Sequence, residues 1–233
     1  MGLIEHLREL RSRLFKMVVA VGIAFVFAYI YSGEIYGLLM EPLISKLPAS
    51  SRFVAFTSVT EPFMTYLKAA FFTSLIFASP VILYQAWAFV APALYEKEKR
   101  VFFPLVIFSW ILFIGGMAFS YYVVLPAGLE YLLSFSGAEV KPFISMREYF
   151  TLILQFMAAL GVSFELPLVM LVISKIKLVS YKTYIGYWRY AIIGAFIVGA
   201  VISPPDVFSQ TLMSLPLIFL YCVGVLLAYL FEK

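Results

Sequence analysis

Two charge-free apolar runs, residues 69–95 and 101–129, face each other across five consecutive charged residues, Glu96-Lys97-Glu98-Lys99-Arg100. Each run exceeds the ~20 apolar residues that an α-helix needs to cross a bilayer, and the charged link is long enough only for a turn between antiparallel spans. A chain containing this hairpin has few options, because hydrocarbon leaves unpaired backbone groups unsatisfied and admits only helices or closed barrels. Composition agrees: 64% of the 233 residues are hydrophobic and 13% are charged, against about 25% charged in soluble domains. The fold class expected is an all-α integral membrane protein. A soluble enzyme, a disordered chain and a nucleic-acid binder are all disfavoured.

Further runs extend the pattern to six transmembrane helices in a single membrane domain over 1–233, with spans at 14–32, 69–93, 101–125, 149–173, 190–203 and 208–229. The last two come from one long run divided by Ser203-Pro204-Pro205-Asp206, a strong helix breaker. Pro80 predicts a kink within the second span, and Pro104 a helix start for the third. Non-cytoplasmic loops are expected at 33–68, 126–148 and 204–207. The first is too long for a turn, and apolar stretches too short to cross suggest an interfacial amphipathic cap there, with a smaller one around Gly137 to Arg147. The first span exceeds a signal-peptide core and lacks a small-x-small cleavage site, so it reads as an uncleaved helix.

Orientation follows from Lys and Arg. Assigning loops alternately puts twelve basic residues on the side of both termini and five on the other, which predicts cytoplasmic termini. The fifth span is short, since 14 residues from Tyr190 to Ser203 reach only about 21 Å. Ala191, Ala195, Gly199 and Ser203 repeat along it at every fourth residue. That stripe suits close helix approach, either within the chain or to a partner helix.

Catalytic chemistry finds little material. With one histidine (His6), one cysteine (Cys222) and one aspartate (Asp206), the chain offers no zinc constellation, redox pair or Ser-His-Asp triad. A phosphate-binding G-x-x-x-x-G-K-[ST] loop is also missing, so energy would come from something other than ATP. No enzyme activity and no cofactor or metal are expected. Cys222 reads as a small buried hydrophobe.

Three carboxylates stand out. Glu165 lies inside the fourth span beside Pro167, where a charge costs about 2.5–3.5 kcal/mol on insertion scales, so a polar cavity, a partner or a proton is expected there. Glu9 and Glu98 fall on the strongly basic side. Acids add nothing to anchoring at an anionic membrane surface, which makes both candidates for receiving a basic ligand.

Five motifs carry a resemblance. They are His6-Leu7-x-Glu9-Leu10-Arg11-x-Arg13-Leu14, the run from Ser79-Pro80 through Gln85 to Phe89, Ala91-Pro92-Ala93-Leu94-Tyr95-x-x-Glu98-Lys99-Arg100, Phe164-Glu165-x-Pro167, and Ser203-Pro204-Pro205-Asp206-Val207-Phe208-Ser209-Gln210. In this order, over about residues 5 to 230, the chain resembles the TatC family, the receptor subunit of the twin-arginine (Sec-independent) protein translocase. The resemblance implies a concave, glove-like bundle with short fifth and sixth helices. It implies a signal-peptide site at Glu9 and Glu98, with Arg11, Lys99, Arg100 and Phe89, and Glu96 stands beside Glu98 as an acid able to share its role. It further implies an intramembrane polar site at Glu165 and partner docking at Ser203, Asp206, Gln210 and Met213.

The function implied is core subunit of the translocase in a bacterial or archaeal cytoplasmic membrane. It would bind twin-arginine signal peptides of folded precursors, recruit the single-span subunits TatA and TatB, and drive export with the proton gradient. Membrane lipid and self-association in a larger complex complete the expected partners, with no nucleic acid. The alternative is a proton-coupled small-solute transporter using Glu165, against which the lack of an internal repeat weighs.

Overall fold

The computed structural model describes residues 3–47, 54–56, 58–90, 102–136 and 143–231. Among these the regular structure is helical, apart from one isolated bridge between Ala55 and Ser145. Among the described residues, five helical stretches are long and apolar enough to cross a membrane: Leu7–Ile30, Glu61–Phe89, Phe102–Leu133, Met146–Lys175 and Val207–Phe231. A sixth apolar helix, Trp188–Ile202, is shorter. The last helix corrects one expectation, because its 25 residues extend about 37 Å, ample for a crossing. Only the fifth is short, at 15 residues and about 22 Å.

The chain divides into two compact units. The first comprises Met1–Leu38 and Phe63–Ile111. It contains α1 (Leu3–Ile30), most of α3 (Glu61–Val90) and the start of α4 (Phe102–Phe119). α1 turns a nearly continuous apolar surface outward, with Phe15, Val18 and Ile23 all well exposed. Such a surface belongs against lipid, where hydrocarbon tails are as apolar as the side chains themselves. Polar groups pair internally: Trp87 Nε1 donates to Ser109 Oγ at 2.9 Å and Trp110 Nε1 to Ser79 Oγ at 3.1 Å, tying α3 to α4. Pro80 stays within an uninterrupted α3, and Pro104 lies in the first turn of α4.

The second unit comprises Leu39–Pro62 and Leu112–Lys233. Here α4 passes through a π-helical turn, Ser120–Val124, into α5 (Leu125–Leu133), whose first turn holds Pro126. A helical path thus covers 126–133, where a loop was expected. α6 (Met146–Ser163) and α7 (Leu166–Lys175) follow, then the short α8 (Tyr181–Gly186), α9 (Trp188–Ile202) and α10 (Val207–Phe231), which packs along α7 and α9. Cys222 is exposed on α10, which corrects the expectation of a buried residue; the outer face of an apolar span accommodates a thiol equally well.

A helix does occupy the long segment after the first span: α2 runs from Ser32 to Lys46, and Leu39, Met40 and Leu43 in its second half are buried. The smaller cap expected near Gly137 to Arg147 takes another form. Residues 137–142 lie outside those described, and Ser145 is extended, with Ala55 N donating to Ile144 O at 3.1 Å and Met146 N to Ala55 O at 3.0 Å. Glu61 secures this corner. Its buried carboxylate accepts from Ser145 Oγ at 3.0 Å and Arg147 N at 2.8 Å, satisfying one of the orphan amides at the start of α6. Pro62 at the head of α3 is a helix-start signal that places α3 two turns ahead of the expected span.

Close backbone approach explains several small residues. A Cβ on Gly116 would stand 2.6 Å from Leu160 O and 2.8 Å from the Phe164 ring, whereas one on Gly115 would meet nothing within 4 Å. We therefore expect Gly116→Ala to destabilise the chain by about 1–3 kcal/mol and Gly115→Ala to stabilise it by up to about 1 kcal/mol. Thermal unfolding in detergent should move in opposite directions for the two variants; equal midpoints would contradict the packing described.

Candidate functional site

Glu9 and Arg13 are one helical turn apart on α1 and so share a face. Arg13 Nε and Nη2 donate to Glu9 Oε1 at 2.9 and 2.5 Å, and Nη1 turns to α3, donating to Gln85 Oε1 at 3.1 Å. The Arg13 and Glu9 side chains are 20% and 24% exposed, while Gln85 is buried. A groove of about 590 Å³ runs along this face, lined by Glu5, Arg8, Glu9, Ser12, Arg13 and Lys16. Its carboxylate demonstrably accepts a guanidinium, the group for which its planar geometry is matched.

Of the other residues expected here, Arg11 is exposed on α1, and Phe89 follows Gln85 by one turn of α3. Glu96, Glu98, Lys99 and Arg100 lie outside the described residues. Gln85 stands in the sequence motif from Ser79 to Phe89, which assigns it no role. Its signal is that it is a carboxamide inside an otherwise charge-free span, where a polar side chain needs a partner.

Glu165 occupies the break between α6 and α7. It stands at the N-cap position of α7, with Pro167 in the first turn, and its carbonyl accepts from Leu168 N at 3.0 Å and Val169 N at 2.9 Å. The break is chemical in origin: Pro167 has no N–H to offer Ser163 O, and the chain tightens so that Glu165 N reaches Val162 O at 3.1 Å. The glutamate as a whole is half-buried, with Oε1 shielded from the surface. An apolar groove of about 490 Å³ lies alongside, lined by Phe119, Val123, Phe164, Leu215, Pro216 and Phe219.

The α9–α10 hairpin resolves the small-residue stripe. Ala195, Gly199 and Ser203 are buried, and a Cβ on Gly199 would meet Ser214 Oγ and the Gln210 carbonyl, so the stripe packs against α10 of the same chain. Gln210 Nε2 donates to Phe196 O at 3.1 Å. Asp206 Oδ1 caps α10 by accepting from Ser209 N at 2.7 Å. Met213 is fully buried, its thioether filling the interior, while Val201, 79% exposed, faces outward. Two atoms in the turn stand out. Asp206 Oδ2 and Ser209 Oγ are buried with no hydrogen-bond partner among the described residues.

Comparison with known proteins decides the family. A family model described as Sec-independent protein translocase protein (TatC) matches residues 5–216. The chain belongs to the TatC family. The Sec-independent protein translocase protein TatC of Escherichia coli strain K12 is 41% identical over 223 residues, covering 96% of this chain and 86% of that protein. The TatC of Aquifex aeolicus strain VF5 is 38% identical over 232 residues, covering 99% and 95%. A crystal structure of the twin-arginine translocase receptor TatC matches with a TM-score of 0.88 at 36% identity, covering 98% of this chain and 100% of that one. This TatC-family chain is therefore a subunit of the Tat protein translocase and a multi-pass protein of the bacterial cytoplasmic membrane. Small-solute transport is not favoured by this membership.

Proposed function

We propose that the chain is the signal-recognising core of the translocase. It binds the twin-arginine signal peptide of folded precursors at the cytoplasmic face, with both termini on that side, and recruits single-span partners for export driven by the proton gradient. The observation that carries this reading is the Glu9 carboxylate accepting two N–H groups of one guanidinium within a solvent-open groove. An arginine side chain from a peptide presents the same donors in the same plane, and a lysine does not. Glu98 supplies the second carboxylate, and Lys99, Arg100, Arg11 and Phe89 contribute to the same site, so that two carboxylates meet two guanidiniums.

Partner recruitment fits the hairpin. TatA and TatB would dock at the turn holding Ser203, Asp206 and Gln210, beside which Val201 and Val207 face outward. The shortfall of α9 against the ~30 Å hydrocarbon thickness gives an accompanying helix something to cover. Glu165 serves a later step, inside the membrane.

The test is capture of a twin-arginine precursor by the full chain in nanodiscs, set against the same precursor with a Lys-Lys pair. Exchanging two planar charge-assisted contacts for point charges should lower capture by at least about tenfold, equivalent to 1.4 kcal/mol. Equal capture of both precursors overturns the receptor reading.

A further inference from the structure

We propose that Arg13 is a positioning residue for the signal-binding carboxylate and that Gln85 holds Arg13 in place, so that Glu9 is presented with Oε1 occupied and Oε2 open. The proposal rests on the reading of Glu9 as a signal-binding residue and deepens it.

The geometry differs from that of an ordinary fork, in which two N–H groups of an arginine each take one carboxylate oxygen. Here Nε and Nη2 of Arg13 converge on Oε1 alone, at 2.9 and 2.5 Å, and Nη1 points the other way, to Gln85 Oε1 at 3.1 Å. Bonds in two directions from one planar group fix the plane of that group, and through it the rotamer of Glu9. An exposed i,i+4 pair does not do this, because its side chains remain free to exchange partners with water. The third bond also comes from a different helix, α3, 72 residues away, and from a side chain that is buried. Glu9 is thereby referenced to α3.

An incoming guanidinium then meets a single open oxygen beside a fixed cation. It can accept that arrangement by lying in the carboxylate plane and sharing the group with Arg13. An ammonium spreads its three donors over a tetrahedron and needs acceptors that this arrangement does not offer. Arg13 and Gln85 therefore act on discrimination, and neither needs to touch the peptide.

A double-variant cycle tests this with the full chain in nanodiscs and a fluorescent twin-arginine signal peptide. Gln85→Leu, apolar and similar in size, should weaken binding by about three- to tenfold, the worth of one hydrogen bond to a charged group acting through a neighbour. Arg13→Lys keeps the charge but cannot bridge Glu9 and Gln85, and in that background Gln85→Leu should change binding by less than about twofold. Gln85→Glu keeps the acceptor and should restore binding, which also separates the relay from loss of fold. Should Gln85→Leu have no effect, or an equal effect in both backgrounds, the relay is overturned. Failure of the underlying site looks different: Glu9→Gln would then leave binding unchanged, and the relay falls with it.

Discussion

Glu165→Ala should stop export while leaving signal docking intact. Transport of a twin-arginine precursor into inverted membrane vesicles is expected to fall by at least about tenfold, and peptide affinity at the Glu9 groove to change by less than about twofold, since a carboxylate kept in a span despite an insertion cost of about 2.5–3.5 kcal/mol is expected to act there and not at the surface. The direction follows from where the residue sits. Half-buried at a proline-enforced break between α6 and α7, it belongs to the second compact unit, whereas Glu9, Arg13 and Gln85 belong to the first. A fold defect would reduce both readouts, so Glu165→Gln, which retains size and hydrogen bonding, serves as the companion variant. If export persists in both variants, Glu165 is a structural residue only.

Glu9→Gln should reduce affinity for the twin-arginine peptide by about 10- to 100-fold, because hydrogen bonds to charged groups contribute about 1.5–3 kcal/mol. The amide preserves shape and leaves Arg13 one carbonyl oxygen, so the loss reports charge. A twin-lysine peptide, already weak, should lose much less. Glu9→Asp should fall between, since the same charge sits one methylene short of Arg13. Equal losses for both peptides would show that Glu9 acts through the general field of the membrane surface, which is screened over about 10 Å at 0.1 M salt. Glu98→Gln should behave in parallel.

How much of this was legible in the sequence varies with the kind of signal involved. The spans were, because a charge-free run of 27 or 29 residues has one low-energy solution in hydrocarbon. The α6–α7 break was also legible, since Pro167 removes a donor wherever it sits in a helix. Ends were harder. α3 begins at Glu61, which the Glu61-Pro62 pair signals, but hydropathy places the span at 69, since Lys68 and Thr65 interrupt the apolar pattern. The bridge at Ser145 depends on Ala55, some ninety residues earlier, and no local pattern announces it. Hydropathy does not distinguish the lipid-facing Cys222 from the buried Met213 either, because apolar residues suit both environments in a membrane helix. At the candidate site, the Glu9–Arg13 pair is written in its spacing, whereas its third member, Gln85, comes from another helix.

The π-helical turn at Ser120–Val124 lies within a span whose composition gives no hint of it. A π turn accommodates one residue more than the α-helix it interrupts, and each residue of an α-helix turns the chain by about 100°. α5 therefore points its side chains about a quarter-circle away from where an unbroken α4 would aim them. That angular offset brings Tyr131 to stack on Phe208, with ring centroids 4.1 Å apart, and Glu130 to Lys46. A chain lacking one residue of this turn would keep its hydropathy, its length to within a residue and all five family motifs, yet it would dial the head of α10 out of register. Family members that align without a gap through 120–124 can thus be expected to share the azimuth of their hairpin, and a single-residue gap there marks a relative whose hairpin has rotated.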